Sequence, residues 1–233
     1  MSLSPLARFR RLMVASAVLL VVAALLSPLA YAQVLSSEVQ RFRAQTVTEG
    51  LEFPWGLAFL PDGRMLVTER PGRLRLVAAD GRGDPAPVSG LPPIAAVGQG
   101  GLLDVALHPD FAKNSWIYLS YAGEGPGGYG TEVLRAKLDG NALRDVQVIF
   151  RLQPKSKPGH HFGSRLVFDR QGYLYITLGD RGDMERAQRL DDHAGSIIRL
   201  HDDGRVPADN PCAGKLGVKP GKFTLGNRNV QGA

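Results

Sequence analysis

GHHFGSRLVFDRQGYLYITLGDRGD, residues Gly159 to Asp183, has the pattern of two short strands joined by a tight turn. Leu166 to Phe168 is apolar, and Tyr173 to Leu178 is rich in aromatic and β-branched residues, which strands favour. Asp169 to Gly172 lies between them and has turn chemistry, because Asp can bond to its own backbone and Gly tolerates positive φ. The segment therefore predicts an antiparallel hairpin.

The two ends of this hairpin bring ionisable side chains together. Because the segments flanking two antiparallel strands leave the sheet at the same end, His160, His161 and Arg165 are expected to lie near Asp180. A base beside a carboxylate that orients it, with a cation close by, is the arrangement that proton abstraction requires. The histidine pair is therefore a candidate source of a general base, with Asp180 as its orienting partner, and we expect Arg165 to be structural.

The same strand, turn, strand pattern occurs three times along the chain, in residues 56–81, 104–140 and 165–204. Each unit closes on an Asp-Gly pair, and Asp80, Asp139 and Asp203 are 59 and 64 residues apart. Repeats of this length with several short strands are typical of β-propeller blades and fit a β-sandwich less well. The sequence predicts an all-β fold over residues 51–233.

The number of units predicts an incomplete propeller of about three to four blades. A fourth unit is expected to begin near Val206. No closing strand precedes Ala233, so the sequence alone favours a C-terminally truncated domain.

The first 32 residues have the features of a secretory signal peptide. Three arginines lie within residues 8–11, residues 12–26 are apolar, and Ala30-Tyr31-Ala32 fits a small-x-small cleavage site. Cleavage after Ala32 would make the protein periplasmic or secreted, with no stable membrane span. The alternative, a retained membrane anchor, fits less well because the apolar run is short for a span. Residues 33–50 are expected to be an approach segment.

Charge and cysteine content exclude several classes of site. The chain has 28 basic and 22 acidic residues, but the leader contributes three arginines and no acids, which leaves 25 − 22 = +3 for the rest. No basic stripe remains for nucleic acid. Cys212 is the single cysteine, so no disulfide can form within the chain, and zinc-ligand spacings are absent. Asp202, Asp203 and Asp209 lack the spacing of a calcium loop, so no metal ligand is assigned.

Five stretches together resemble the glucose/sorbosone dehydrogenase family, the soluble aldose dehydrogenases that use pyrroloquinoline quinone (PQQ). They extend over most of the chain after the leader and keep the order of the family: Phe53–Arg70, Gly98–Phe111, His160–Gly182, Ala187–Pro211 and Gly226–Gly232. The resemblance implies a six-bladed propeller with the quinone over its axis. It also implies that an aldose is oxidised at its anomeric carbon to a lactone, and that the electrons pass to an external acceptor.

The resemblance also implies roles for individual residues. His161 matches the base that takes the proton of the sugar C1 hydroxyl, and Asp180 matches the carboxylate that orients it. Gln99 matches a quinone contact, and Arg228 and Asn229 match a pair near the reactive quinone carbonyl.

Two positions depart from the family pattern. Asn227 stands where the family has histidine, and Val230 stands where it has proline. The calcium ligands that assist quinone binding in the family, and its later basic residues, are expected beyond Ala233.

Two other functions are compatible with the sequence. A non-catalytic propeller could bind a ligand or a protein on its face without needing His161 opposite Asp180. A metal-dependent lactonase-type propeller would need several carboxylates and an asparagine converging on the axis, and no such set can be identified from the sequence.

Overall fold

A computed structural model describes residues 33–84 and 86–233; the leader predicted for residues 1–32 lies outside the described residues. Within the described residues, no helix has the length and apolar character needed to cross a bilayer.

The chain divides into two compact units, one ending at Val47 and the other running from Thr48 to Ala233. In the first, β1 (Gln33–Ser36) pairs antiparallel with β2 (Arg41–Ala44).

The second unit consists of three antiparallel sheets formed in chain order. The first contains β3 (Pro54–Phe59), β4 (Met65–Glu69) and β5 (Arg73–Val77). The second contains β6 (Leu102–Leu107), β7 (Trp116–Gly125), β8 (Gly128–Asp139) and β9 (Ala142–Arg151), with a one-turn helix α1 (Phe111–Asn114) between β6 and β7. The third contains β10 (Gly163–Phe168), β11 (Leu174–Leu178), β12 (Ile197–Leu200) and β13 (Lys222–Thr224), with a 3-10 turn at Met184–Gln188. Consecutive meandering sheets of this kind are propeller blades, which confirms the predicted all-β fold.

The hairpin predicted from the sequence is present as β10 and β11. Leu166 faces Ile176 and Phe168 faces Leu174 in the antiparallel register. The Asp169 carboxylate caps the turn by accepting from the backbone N–H groups of Gln171 and Tyr173, each at 2.9 Å.

The prediction of a fourth unit near Val206 is wrong. Residues after Val206 return to the third sheet, where β13 pairs with β12 in a register that sets Ile198 opposite Lys222. After β13, Asn229 forms an isolated antiparallel bridge with Gly179, the residue that follows β11. The sequence could not show this because the strand at Lys222 is only three residues long.

Apolar side chains fill the spaces between neighbouring sheets. Strand β7 lies in the middle of its sheet and has period two, so that Ile117 and Leu119 pack towards the first sheet whereas Tyr118 packs towards the third. The first interface is formed mainly by Leu66, Leu74, Leu76, Leu102, Val105, Ile117, Leu119 and Leu134. The second is formed mainly by Tyr118, Val133, Phe150, Leu166, Leu174, Ile176, Leu178 and Ile198.

A hydroxyl group on the second strand of each sheet bonds both to the first strand of its own sheet (β3, β6 or β10), which we call the innermost strand, and to the segment packed beside it. In the second sheet, Ser120 Oγ accepts from the backbone N–H of Asp104 at 2.8 Å and donates to the carbonyl of Ser164 in the third sheet at 2.7 Å. Each donating N–H lies at a β-bulge of the innermost strand, where the register shifts. We call these contacts the hydroxyl bridges.

The hydroxyl bridge occurs in all three sheets. Thr68 Oγ1 accepts from Gly56 N at 2.8 Å and donates to the Leu103 carbonyl. Thr177 Oγ1 accepts from Arg165 N at 2.9 Å and donates to the Val230 carbonyl at 2.9 Å. The same polar contact therefore sets the spacing of successive inner strands.

Asp104 adds an ionic link between the second and third sheets. Its buried carboxylate accepts from Leu166 N at 2.8 Å and from the Arg165 guanidinium at 2.7 Å. Burial raises the pKa of Asp104. Arg165 also lies over the ring of Trp55 at 4.7 Å, so the expectation that Arg165 is structural agrees with its contacts.

His193 joins the turn after β11 to the end of the second sheet. Its Nδ1 accepts from Gln153 N at 3.0 Å, which leaves Nε2 to donate to the Pro220 carbonyl at 3.2 Å. The contact with Gln153 requires an unprotonated Nδ1 and therefore a neutral ring, and burial lowers the pKa of His193 to about 4. The residue is only 5% exposed.

Removing the Ser120 hydroxyl is expected to destabilise the fold. Ser120→Ala leaves a buried N–H and a buried carbonyl without their partner, which costs about 1–3 kcal/mol of unfolding free energy. Denaturant titration of the wild-type protein and of Ser120→Ala measures this loss of unfolding free energy. Ser196→Ala is the matched control, because Ser196 is fully buried and its Oγ bonds to none of the described residues, so its loss should cost little. Equal destabilisation by the two variants would contradict the bridging role.

His193 is expected to make stability depend on pH. The unfolded state protonates with a pKa of about 6.5 whereas the folded state resists protonation until about pH 4, so unfolding free energy falls as pH drops between these values. The loss is about 1.4 kcal/mol per pH unit for this group. Denaturant titrations at intervals across that window should show the slope reduced in His193→Gln. An unchanged slope would show that other groups control the acid response.

Candidate active site

The candidate base lies on the loop between β9 and β10, residues 152–162. Hydrogen bonds from neighbouring segments tie this loop down: Ser156 pairs with Tyr129, and Gly159 accepts from Gln99 N at 2.7 Å. His161 itself has φ of +55°, in the left-handed region that a non-glycine residue rarely adopts. Contacts from outside the loop must therefore hold it in place.

His161 and Asp180 meet as the sequence predicted. Nδ1 of His161 lies 2.7 Å from Oδ1 of Asp180, and the same oxygen accepts from Gly182 N at 2.7 Å. A carboxylate that accepts from Nδ1 places the proton on that nitrogen and leaves Nε2 with a free lone pair. No described residue bonds to Nε2, and 17% of the His161 side chain is exposed against 5% for Asp180. The pair can therefore accept a proton from a bound hydroxyl.

Two of the predicted cofactor residues, Gln99 and Asn229, contact the same loop. Gln99 Oε1 accepts from His161 N at 2.9 Å, and Asn229 Oδ1 accepts from Gly163 N at 3.0 Å. In both side chains, the amide oxygen is therefore occupied by a backbone N–H group of the loop region. The two NH₂ groups have no partner among residues 33–84 and 86–233, so both can donate to a bound molecule.

The third predicted cofactor residue, Arg228, contributes differently. Its backbone carbonyl accepts from Asp180 N at 2.8 Å and so fixes the turn that carries the carboxylate. Its side chain is exposed, and no ion pair is formed with it in the described part of the chain. The structure places Arg228 beside Asp180 with a free guanidinium.

A cavity of about 310 Å³ lies at the inner ends of the sheets and includes Gln99 and Asn229. Its other lining residues are Trp55, Arg70, Leu103, Phe162, Gly163 and Gln231. His161, Asp180 and Arg228 do not line it. A larger cavity, about 620 Å³, lies within residues 206–222 and contains none of the predicted site residues. We take the smaller cavity as the candidate site because Gln99 and Asn229, which line it, bond to the backbone at His161 and Gly163.

Close backbone approaches around the loop require glycine. A side chain at Gly179 would collide with the carbonyl of His161, and one at Gly98 would collide with the carbonyl of Gly159. These two glycines let β11 and the turn carrying Gln99 lie against the loop from opposite sides. The Gly-rich turn Gly98–Gly101 thus positions Gln99.

Sequence reasoning missed several residues of the site. Arg181, which follows Asp180, donates to the carbonyls of Pro158 and His160. Trp55 is partly exposed and lines the cavity. Phe162 packs beneath the Arg181 guanidinium. The one available signal was position, since these residues adjoin the motifs that were recognised.

The two positions that depart from the family pattern have local structural contacts. Asn227 bonds to the Gly195 carbonyl through its backbone N–H at 2.9 Å and through its side chain at 3.2 Å. Val230 supplies the carbonyl of the third hydroxyl bridge.

In the described residues, no group of three or more His, Cys, Asp or Glu side chains is arranged to hold a metal ion.

Comparison with known proteins identifies relatives of this arrangement. The family model for glucose/sorbosone dehydrogenases matches residues 51–233. Aldose sugar dehydrogenase YliI of Escherichia coli is 46% identical over 192 residues, which cover 81% of this chain and 52% of that protein. Quinoprotein glucose dehydrogenase B of Acinetobacter calcoaceticus is 30% identical over 235 residues, covering 88% of this chain and 48% of that protein.

A solved structure has the same fold. The PQQ-bound aldose sugar dehydrogenase from Streptomyces coelicolor superposes with a TM-score of 0.67 at 30% identity, covering 87% of this chain and 57% of that one. The chain spans about half the length of the curated relatives it matches. With the family model matched over nearly all of the three sheets, the chain belongs to the glucose/sorbosone dehydrogenase family.

Proposed function

We propose that this protein oxidises the anomeric carbon of an aldose sugar to a lactone, using PQQ, and passes the electrons to an external acceptor. The observation that carries the proposal is the His161–Asp180 pair, which leaves Nε2 available as a base beside two free amide donors. Its relatives are named for glucose and for aldose sugars, which supports a sugar as substrate.

The residues present fit a planar, anionic quinone. Gln99 and Asn229 each offer a free NH₂ group, and Arg228 offers an unpaired guanidinium, so all three would hold carbonyl or carboxylate oxygens. The cavity that includes Gln99 and Asn229, at about 310 Å³, is within the size range of small-molecule sites. When bound, PQQ supplies the acceptor for the hydride that leaves the sugar. Calcium would assist this cofactor through ligands that we do not assign to the described residues.

The role of His161 follows from its tautomer. Nε2 accepts the proton of the sugar C1 hydroxyl, which makes the oxygen electron-rich and lets C1 release its hydride. The ring becomes an imidazolium, and the Asp180 carboxylate at 2.7 Å stabilises that charge. General base catalysis of this kind contributes about 10²- to 10⁴-fold to the rate.

The proposed cellular location of the protein follows from the leader predicted for residues 1–32. Export would place the domain in the periplasm or outside the cell, where sugar and acceptor meet it directly. The leader itself is a proposal from sequence alone.

Replacing His161 is expected to abolish turnover. His161→Asn should lower kcat by about 10²- to 10⁴-fold because no base takes the hydroxyl proton. Sugar-dependent dye reduction with added PQQ and calcium measures kcat. His201→Asn is the control and should leave kcat unchanged, since the His201 ring packs at a tilt against Tyr173, with centroids 5.2 Å apart, and does not line the cavity. Sugar oxidation at the wild-type rate in His161→Asn would refute the assignment.

Asp180→Asn is expected to reverse the tautomer of His161. The amide can donate to Nδ1, which moves the ring proton to Nε2 and removes the base, so kcat should fall by about 10²- to 10⁴-fold with little change in KM. Steady-state kinetics provides the test. Asp183→Asn is the matched control, because this nearby carboxylate only caps the 3-10 turn through Glu185 N at 3.2 Å. A loss confined to KM would argue that Asp180 binds substrate instead.

A further inference from the structure

Arg181 is fully buried beside the candidate base. It is the largest side chain with no exposed surface in the described residues. Its two terminal nitrogens donate to the carbonyls of Pro158 and His160, and its guanidinium lies 3.6 Å from the centre of the Phe162 ring. All three partners belong to the loop that carries His161.

This charge has no carboxylate of its own. The ion pairs of the described residues include none for Arg181, and the carboxylate of the adjacent Asp180 is bonded to His161. Arg181 Nε is buried and has no partner in the part of the chain that the structure describes, and burial lowers the pKa of this guanidinium to about 10. By contrast, the neighbouring Arg186 is paired with Asp192 at 2.8 Å. An unpaired buried cation is costly, so its contacts must confer an advantage elsewhere.

The two carbonyls that accept from Arg181 lie close to His161 in the chain, so their positions determine the position of its backbone. Pro158 and His160 lie three residues and one residue before it, in the loop that Gln99 also contacts at Gly159. His161 has a left-handed backbone, which relaxes unless the surroundings impose it. Asp180 holds the ring, and Arg181, the next residue on the same turn, holds the backbone that presents the ring.

We propose that Arg181 is a positioning residue for His161: its guanidinium fixes the loop so that the imidazole meets Asp180 in one tautomer, with Nε2 directed to the substrate. The catalytic consequence rests on the proposed function. The tautomer does not, so it can be measured without cofactor or sugar.

The first test is nuclear magnetic resonance of the His161 ring. Two-bond ¹H–¹⁵N correlations should show a single Nδ1-protonated tautomer in the wild-type protein. Arg181→Met should give a mixture of tautomers, with exchange of the Nδ1 proton faster by about 10-fold or more, because the loop samples other positions. An Arg181→Met spectrum identical to that of the wild type would overturn the proposal.

Arg199→Met is the matched control. Arg199 is also a buried arginine that lies over an aromatic ring, Tyr173 at 3.9 Å, but it pairs with Asp209 and does not contact the loop. It should lower the melting temperature without changing the His161 tautomer. Loss of the single tautomer in Arg199→Met as well would show that general destabilisation, rather than positioning, is responsible.

Arg181→Lys keeps the fold testable if the methionine variant does not fold. Lysine retains the charge but lacks the planar fork that reaches two carbonyls, so proton exchange at Nδ1 should lie between the wild-type and methionine values. Wild-type exchange in Arg181→Lys would show that charge alone suffices and would overturn the role assigned to the fork.

Dye-reduction kinetics then connects the tautomer to turnover. Arg181→Met should lose about 10- to 100-fold in kcat with KM for the sugar little changed, since misplacement of a catalytic group affects the chemical step. A changed tautomer with unchanged kcat would refute the catalytic consequence. A wild-type protein that shows the single tautomer but no sugar oxidation would refute the proposed function and leave the positioning inference intact.

Discussion

A serine or threonine hydroxyl on the second strand of each sheet accepts from the innermost strand of its own sheet. In the first two sheets it donates to the innermost strand of the next sheet, and in the third it donates to the carbonyl of Val230. Ser120 shows the pattern most clearly, with both contacts buried. Apolar packing between sheets is non-directional and tolerates sliding, whereas two hydrogen bonds through one oxygen fix a position along the strand. The relative heights of the inner strands, and therefore of the loops above them, depend on these hydroxyls.

The candidate site lies where this repeated arrangement changes. In the third sheet, the hydroxyl of Thr177 reaches the Val230 carbonyl, which brings the preceding Arg228 and Asn229 beside the turn that carries Asp180. Asn229 then accepts from Gly163 N, at the start of β10. One bridge thus assembles residues distant in sequence around a single loop, and the site inherits its geometry from the packing of the sheets.

Much of this could be predicted because it is local. The hairpin of β10 and β11 follows from alternation and turn chemistry, and the meeting of His161 with Asp180 follows from the hairpin. The roles of β13 and Arg181 could not be predicted in that way. A three-residue strand has too little pattern to detect, and an arginine in a polar turn has the composition of a solvated surface. Burial of Arg181 depends on a loop some twenty residues earlier, which no local pattern encodes.

Arg181 combines a left-handed backbone, φ +61°, with a buried charge that has no carboxylate partner. Either feature alone would favour replacement: glycine would relax the backbone, and an apolar residue would avoid the desolvation. Selection of variants for heat resistance alone should therefore repeatedly find substitutions at this position, and selection for turnover should reject them. Position 181 is where thermostability and catalytic rate make opposite demands on one side chain.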